Sequence, residues 1–298
     1  MNAFSRWLAA CFVAGVYCLV TLGLPTASGA SAPRASYLHT VLSQHPVARR
    51  TLPASAHLDY HGGHVLSRVK VDLVVWDTWT YGRSVPLTGV RSIAGFLGGI
   101  TASSYLDWLS EYDTPSQHIK RGTLEGVYTV HPPGPANGTT VSDTAIADGL
   151  RAMITDGRLP RPTTNRFYVV VLRSGQTVFT PGGNSRDDFC AYHDTMAYSS
   201  SSTAYFAVIP YEVGNRGCKA ASTTFDSVTT VISHELIEGI TDPGVGLSRI
   251  AWYDPANGEI GDICAGVSSP ATVIGGDGVR YVVQREWSNR AHACIVAR

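Results

Sequence analysis

Three short runs restrict the fold of this chain more than anything else in it. VKVDLVVWDTW (residues 69–79), RFYVVVL (166–172) and AYFAVIP (204–210) are too continuously apolar to keep one face in water, so each reads as a strand covered on both sides. Between and around them lie segments of helical spacing. These are 89–98, then 103–112 with Tyr105, Leu106, Trp108, Leu109 and Tyr112, and TTVSDTAIADGLRAMI (139–154), which puts Ile146, Leu150, Met153 and Ile154 on one face. A further strand is expected at 123–131. Buried strands interleaved with helices predict an α/β (α+β) protein built on a mixed sheet.

With 298 residues, 44% of them hydrophobic and 15% charged, the chain can bury one large core. Lys+Arg and Asp+Glu both number 23, so no global field attracts nucleic acid or an acidic membrane. Neither is expected as a partner.

At the N-terminus Arg6 precedes an apolar run from Trp7 to Leu24, and small residues follow at Ala27, Ser28, Gly29, Ala30, Ser31 and Ala32. This is the pattern of a secretory signal over residues 1–30, cleaved after Ala30 or Ala32; a membrane anchor is the alternative, since a run this long barely spans a bilayer. Residues 31–56 show neither helical nor strand period and contain the dibasic Arg49-Arg50, which suggests a flexible lead-in or a removed pro-segment. Residues 57–298 are then expected to form a single domain.

Cysteine usage fits export. Of six cysteines, Cys11 and Cys18 leave with the signal, and Cys190, Cys218, Cys264 and Cys294 remain, an even number suited to an oxidising compartment. Four cysteines allow three pairings; Cys190–Cys218 with Cys264–Cys294 is favoured because each closes a local loop. A zinc site made of all four is disfavoured by the lack of any C-x-x-C spacing.

The chemistry concentrates near the end of the chain. STTFDSVTTVISHELIEGIT (222–241) has Phe225, Val228, Val231, Ile232, Leu236, Ile237 and Ile240 at helical spacing, with Ser222 as expected cap and Gly239 with Pro243 as expected stop. On such a helix His234 and Glu238 project from one face a turn apart, as two ligands of one ion must, and Glu235 sits beside them. A third ligand is available downstream in AWYDPANGEIGDICAG (251–266), at Asp254, Glu259 or Asp262, or in Asp242 just past the helix.

HELIEGITD together with NGEIGD resembles the thermolysin group of zinc proteases, with Glu238 standing where that group has a second histidine. The resemblance implies a zincin-like fold, zinc held by His234, Glu238 and Glu259, and Glu235 as general base. It also implies Asp262, with Asp254 nearby, as outer partners of the ligands. A broader resemblance rests on YHGGHVL (60–66), VVWDTW (74–79), FCAYHD (189–194), HELIEGITDP (234–243) and REWSN (285–289). Together these resemble the bacterial and fungal relatives of the phosphate-induced protein and Exordium family, which implies a secreted protein whose plant relatives are growth-associated.

Glutamate in place of the second histidine has a physical consequence. One imidazole and two carboxylates cancel the charge of a divalent ion, which makes it a weaker Lewis acid. Calcium and manganese then compete with zinc, and Asp254, Asn257, Glu259 and Asp262 could hold calcium without the helix. His193, Tyr253 and His292 are candidate oxyanion donors, His193 being the strongest. The glycines of HGGH (61–64) suit a turn or close packing. There is no G-x-S-x-G elbow and no phosphate-binding glycine loop.

The expected function is therefore a secreted metal-dependent peptidase, acting on peptide or protein substrates, with Zn2+ as cofactor and Ca2+ as the alternative. The competing expectation is a non-catalytic secreted binding or cell-surface protein in which the same residues are structural. A glycosidase pairing Glu235 with Asp254 or Glu259 is a distant third.

Overall fold

The structure, a computed structural model, describes residues 39–42, 51–76, 86–210, 218–245 and 249–298. The expected signal segment, the dibasic pair and the tail of the 69–79 run lie outside the described residues. In chain order the first strands are β1 (His39–Leu42), β2 (Asp59–Tyr60), β3 (Arg68–Trp76), β4 (Lys120–Val130) and β5 (Thr140–Ser142). There follow β6 (Arg166–Leu172), β7 (Thr177–Thr180), β8 (Gly183–Asn184), β9 (Phe189–Ser199) and β10 (Ser202–Ile209). The last are β11 (Trp252–Tyr253), β12 (Ala271–Ile274), β13 (Arg280–Val283), β14 (Glu286–Ser288) and β15 (Ala293–Ile295). The α-helices are α1 (Ile93–Thr101), α2 (Asp143–Thr155) and α3 (Thr224–Thr241).

The protein is mixed α/β. Its main sheet has the order β1-β9-β10-β6-β3-β4; β10, β6, β3 and β4 run parallel, β9 is antiparallel to β10, and β1 is antiparallel to β9. Side-chain alternation divides the core into two layers. Val71, Leu73 and Val75 of β3 and Phe167, Val169 and Val171 of β6 face the layer that holds Phe96 and Leu97 of α1 and Ile232, Leu236 and Ile240 of α3. Val74 and Trp76, with Tyr168, Val170 and Leu172, face Ile146, Leu150 and Met153 of α2. Helices on both faces are why these strands are apolar throughout.

α3 is buried nearly all round, its polar face included. The hairpin β12–β13 covers the side turned from the sheet: Thr229 Oγ1 donates to Val282 O (2.7 Å), and Gln284 N just beyond β13 donates to Ser233 Oγ (2.9 Å). Those bonds satisfy polar groups that would otherwise be costly at such depth.

Several expectations change in detail. Thr223, not Ser222, caps α3, its Oγ1 accepting from Asp226 N at 3.0 Å. Gly239 does not end the helix but lies within it, because a Cβ there would stand 2.5 Å from the Phe167 ring; the glycine permits close contact between helix and sheet. The helix ends at Thr241, where Asp242 N still donates to Glu238 O and the Asp242 carboxylate accepts from Ala251 N at 2.8 Å. Residues 104–112 form a 3-10 helix rather than an α-helix. Within the lead-in, where no strand period is legible, His39–Leu42 nevertheless join the sheet edge as β1.

Both favoured disulfides are present, Cys190–Cys218 with Cα atoms 5.4 Å apart and Cys264–Cys294 at 5.8 Å. Among the described residues no helix is long and apolar enough to cross a membrane.

Candidate metal centre

Four segments distant in sequence supply one buried cluster: His193 from β9, His234, Glu235 and Glu238 from α3, Glu259 and Asp262 from the turn after β11, and Gln284 just after β13 with Glu286 at the start of β14. His193, His234, Glu235, Glu238, Glu259 and Glu286 are at most 1% exposed; the Asp262 side chain reaches 25%. The helix brings its three groups by periodicity, and the odd-numbered face of β9 turns His193 toward them, as it turns Ala191 into the α3 side of the core.

The turn is brought in by glycine. A Cβ on Gly261 would lie 2.7 Å from His234 Nδ1 and 2.8 Å from Glu238 Oε1, so only glycine lets this backbone touch the helix's polar face. Once there, Asp262 N donates to Glu238 Oε1 (3.1 Å) and Glu259 N to Asp262 Oδ2 (3.2 Å).

His193 places Nδ1 3.1 Å from Glu235 Oε2 and 3.5 Å from Glu238 Oε2, and Nε2 3.5 Å from Glu259 Oε1. His234 Nε2 lies 2.9 Å from Glu238 Oε1 and 3.8 Å from Asp262 Oδ1. Despite that 2.9 Å separation, His234 Nε2 makes no aligned hydrogen bond, and Glu235 Oε1 is likewise buried without one. Two donors bound to one ion at about 2.0–2.2 Å in tetrahedral array sit roughly 3.3–3.6 Å apart; the 3.5 Å contacts of His193 match that spacing, and the 2.9 and 3.8 Å contacts of His234 fall on either side of it. A buried His/Glu/Asp cluster able to hold a metal ion is therefore present, in two overlapping sets, His193/Glu238/Glu259 and His234/Glu238/Asp262.

Electrostatics agree with that capacity. Burial alone would depress both histidines, but the carboxylates outweigh it: Glu259, Glu235 and Glu238 raise His193 well above its usual range, and chiefly Glu238 does so for His234. Glu238 is held below the usual carboxylate range because His234 and His193 overcome its burial. Burial pushes Glu235 up to about 7, the His193 contact offsetting only part. A divalent cation bound there would displace protons from the histidines, which ligate only when neutral.

The predicted ligands His234, Glu238 and Glu259 enter the same cluster but not one set: Glu238 belongs to both, His234 groups with Asp262 and Glu259 with His193, and Glu235 adjoins them through His193. Asp254 is not in either set: its carboxylate accepts from His57 N, Ala256 N and Asn257 Nδ2, closing its own loop. Asp254 and Asn257 are committed to each other while Glu259 and Asp262 turn to the histidines, so the four do not form the oxygen-only calcium loop foreseen from sequence. His292 is exposed on a turn with φ 49°. His61 and His64 place ring nitrogens on backbone carbonyls of Tyr253 and Thr164, and Gly63 packs directly against the backbone of Arg249 and Ile250.

Gln284 and Glu286 escaped the sequence reading. Gln284 Nε2 donates to Gly261 O (2.8 Å) and Glu286 Oε2 (3.2 Å) and stands 2.8 Å from His234 Nδ1, while Tyr105 Oη donates to Gln284 O and Glu286 Oε1. Burial is the main reason Glu286 is raised to about 8. The available signal was a glutamine and a glutamate set between the apolar Tyr281-Val282-Val283 and Trp287.

Compared with known proteins, the chain matches no family model, no curated protein and no solved structure.

Proposed function

We propose that the protein is an exported, metal-dependent peptidase, with a zincin-like pairing of a histidine-glutamate helix and an antiparallel strand beside it. Glu235 carries the reading. It is a buried carboxyl poised near 7, with one oxygen on His193 and the other without a hydrogen-bond partner, adjacent to the candidate ligands. A general base needs this combination of reach and tuned proton affinity.

His234 and Glu238 with Asp262, or His193 and Glu238 with Glu259, would hold the ion, and an imidazole in either set favours zinc over an oxygen-only calcium site. A divalent cation held there supplies Lewis-acid activation of water and of the scissile carbonyl. Glu235 takes the water's proton and passes it to the leaving amine; His193 fixes the Glu235 carboxylate; Tyr253, whose phenol is raised by burial and then by the charges of Glu259 and Asp262, is a candidate donor to the substrate oxygen. The thermolysin-like and Exordium-like motifs are compatible with this assignment. Peptide hydrolysis by zinc-loaded protein that is lost on chelation and in Glu235→Gln tests it.

The second reading, a non-catalytic secreted protein with a structural ion, is favoured by one observation: the cluster is almost wholly buried, and β1 hydrogen-bonds along β9 with His39 opposite His193. The peptidase reading accordingly requires that the lead-in be displaced or removed before a substrate reaches the site. Chelation that lowers Tm in a protein inactive even after cleavage at the dibasic pair would decide for the structural ion.

A further inference from the structure

Glu238 belongs to both ligand sets, and its two oxygens face different histidines. Oε1 is 2.9 Å from His234 Nε2, whereas Oε2 is 3.5 Å from His193 Nδ1. The remaining ligands divide without overlap, His193 with Glu259 and His234 with Asp262, and within each set one atom per residue lies within 4.8 Å of the others. From these positions we propose a dinuclear centre in which Glu238 bridges two divalent cations, one completed by His193 and Glu259 and the other by His234 and Asp262. The inference rests on the metal-centre reading above and deepens it.

Two observations support two ions over one. His234 has Nδ1 by Gln284 and Nε2 toward Glu238 and Asp262, while His193 has carboxylates at both nitrogens, Glu235 and Glu238 at Nδ1 and Glu259 at Nε2. The His234 arrangement is that of a ligating histidine fixed by an outer partner, and His193 stands among carboxylates of the other set. A carboxylate offering one oxygen to each of two ions also suits the separation of about 3.5–4 Å common in two-metal sites.

Metal stoichiometry decides the matter. Purified protein freed of metal by chelator dialysis and reloaded with Mn2+ or Zn2+ alone should hold two ions per chain by elemental analysis, and the Mn2+ form should show an exchange-coupled pair by electron paramagnetic resonance. Glu259→Gln and Asp262→Asn should each retain one ion and lose the coupling. One ion per chain at saturation in the parent protein overturns the dinuclear centre while leaving the single-ion peptidase reading standing; no bound ion overturns both. Two ions without magnetic coupling, persisting in Glu238→Ala, would remove the bridge. The parent measurement alone is decisive if a variant does not fold.

Discussion

His193 and Glu235, 42 residues apart in sequence, meet at 3.1 Å inside the protein, imidazole Nδ1 to carboxylate Oε2. The contact ties the antiparallel strand of the main sheet to the helix that carries the other candidate ligands. It also commits one oxygen of Glu235 and leaves the second for a proton from solvent or substrate, which is the basis of the first prediction.

Glu235→Gln should preserve fold and bound metal yet lower peptide hydrolysis about 10²–10⁴-fold, the usual contribution of a positioned base. The amide can still contact His193, so Tm and ions per chain should match the parent. Hydrolysis at the parental rate by a metal-loaded Glu235→Gln protein would rule out Glu235 as the base.

Gly261→Ala should weaken metal binding more than it weakens the fold. Its Cβ would stand 2.7 Å from His234 Nδ1 and 2.8 Å from Glu238 Oε1, forcing the turn away from the helix and Asp262 with it. A loss of about 10–100-fold in affinity is expected, comparable to removing an orienting partner; competition with a chromophoric chelator measures it, and an unchanged Kd would contradict the close-approach argument.

Gly239→Ala sets two effects against each other. Alanine gains about 1 kcal/mol in helix propensity, but a methyl 2.5 Å from the Phe167 ring in the core overpacks it at a cost of about 1–3 kcal/mol. Net destabilisation is expected in urea unfolding, relieved in the Phe167→Leu background. Stabilisation by Gly239→Ala alone would mean that the ring yields easily.

Glu286 gives a pH dependence with a definite sign. Its carboxyl is raised from 4.5 to about 8, so the folded metal-free protein binds its proton more tightly than the unfolded chain does. Stability from this group is full below about 4.5 and is lost as pH rises through about 8. Glu286→Gln, which keeps the shape without the titration, should flatten the fall in Tm between those values. An unaltered Tm profile in the variant would place the dependence elsewhere.

Removing Cys264–Cys294 by paired serine substitution should cost about 3–4 kcal/mol from the loop it closes and also loosen the turn bearing Asp262, two residues before Cys264. Lower metal affinity together with lower Tm is expected; the corresponding Cys190–Cys218 variant should lose stability with a smaller change at the Asp262 end.

Period and composition determined much of this protein. Strands fully apolar over several residues need cover on both faces, so RFYVVVL and VKVDLVVW announced a layered α/β core, and the four-residue spacing of His234 and Glu238 announced a shared helical face. The preferred disulfide pairing followed from short loop closure. Tertiary structure alone decided the rest, because it depends on contacts between residues far apart in the chain. No local pattern tells that β9 places His193 beside Glu235, that Gly261 is bare so that a turn can rest on His234, or that Gln284 and Glu286 pass beneath it. Gly239 looked like a helix stop, since glycine is intrinsically a poor helix former; only the Phe167 ring lying against it explains why it stands inside the helix. Asp254 and Asp262 are equivalent carboxylates in sequence, and what separates them is which N–H groups and imidazoles the folded chain turned toward each.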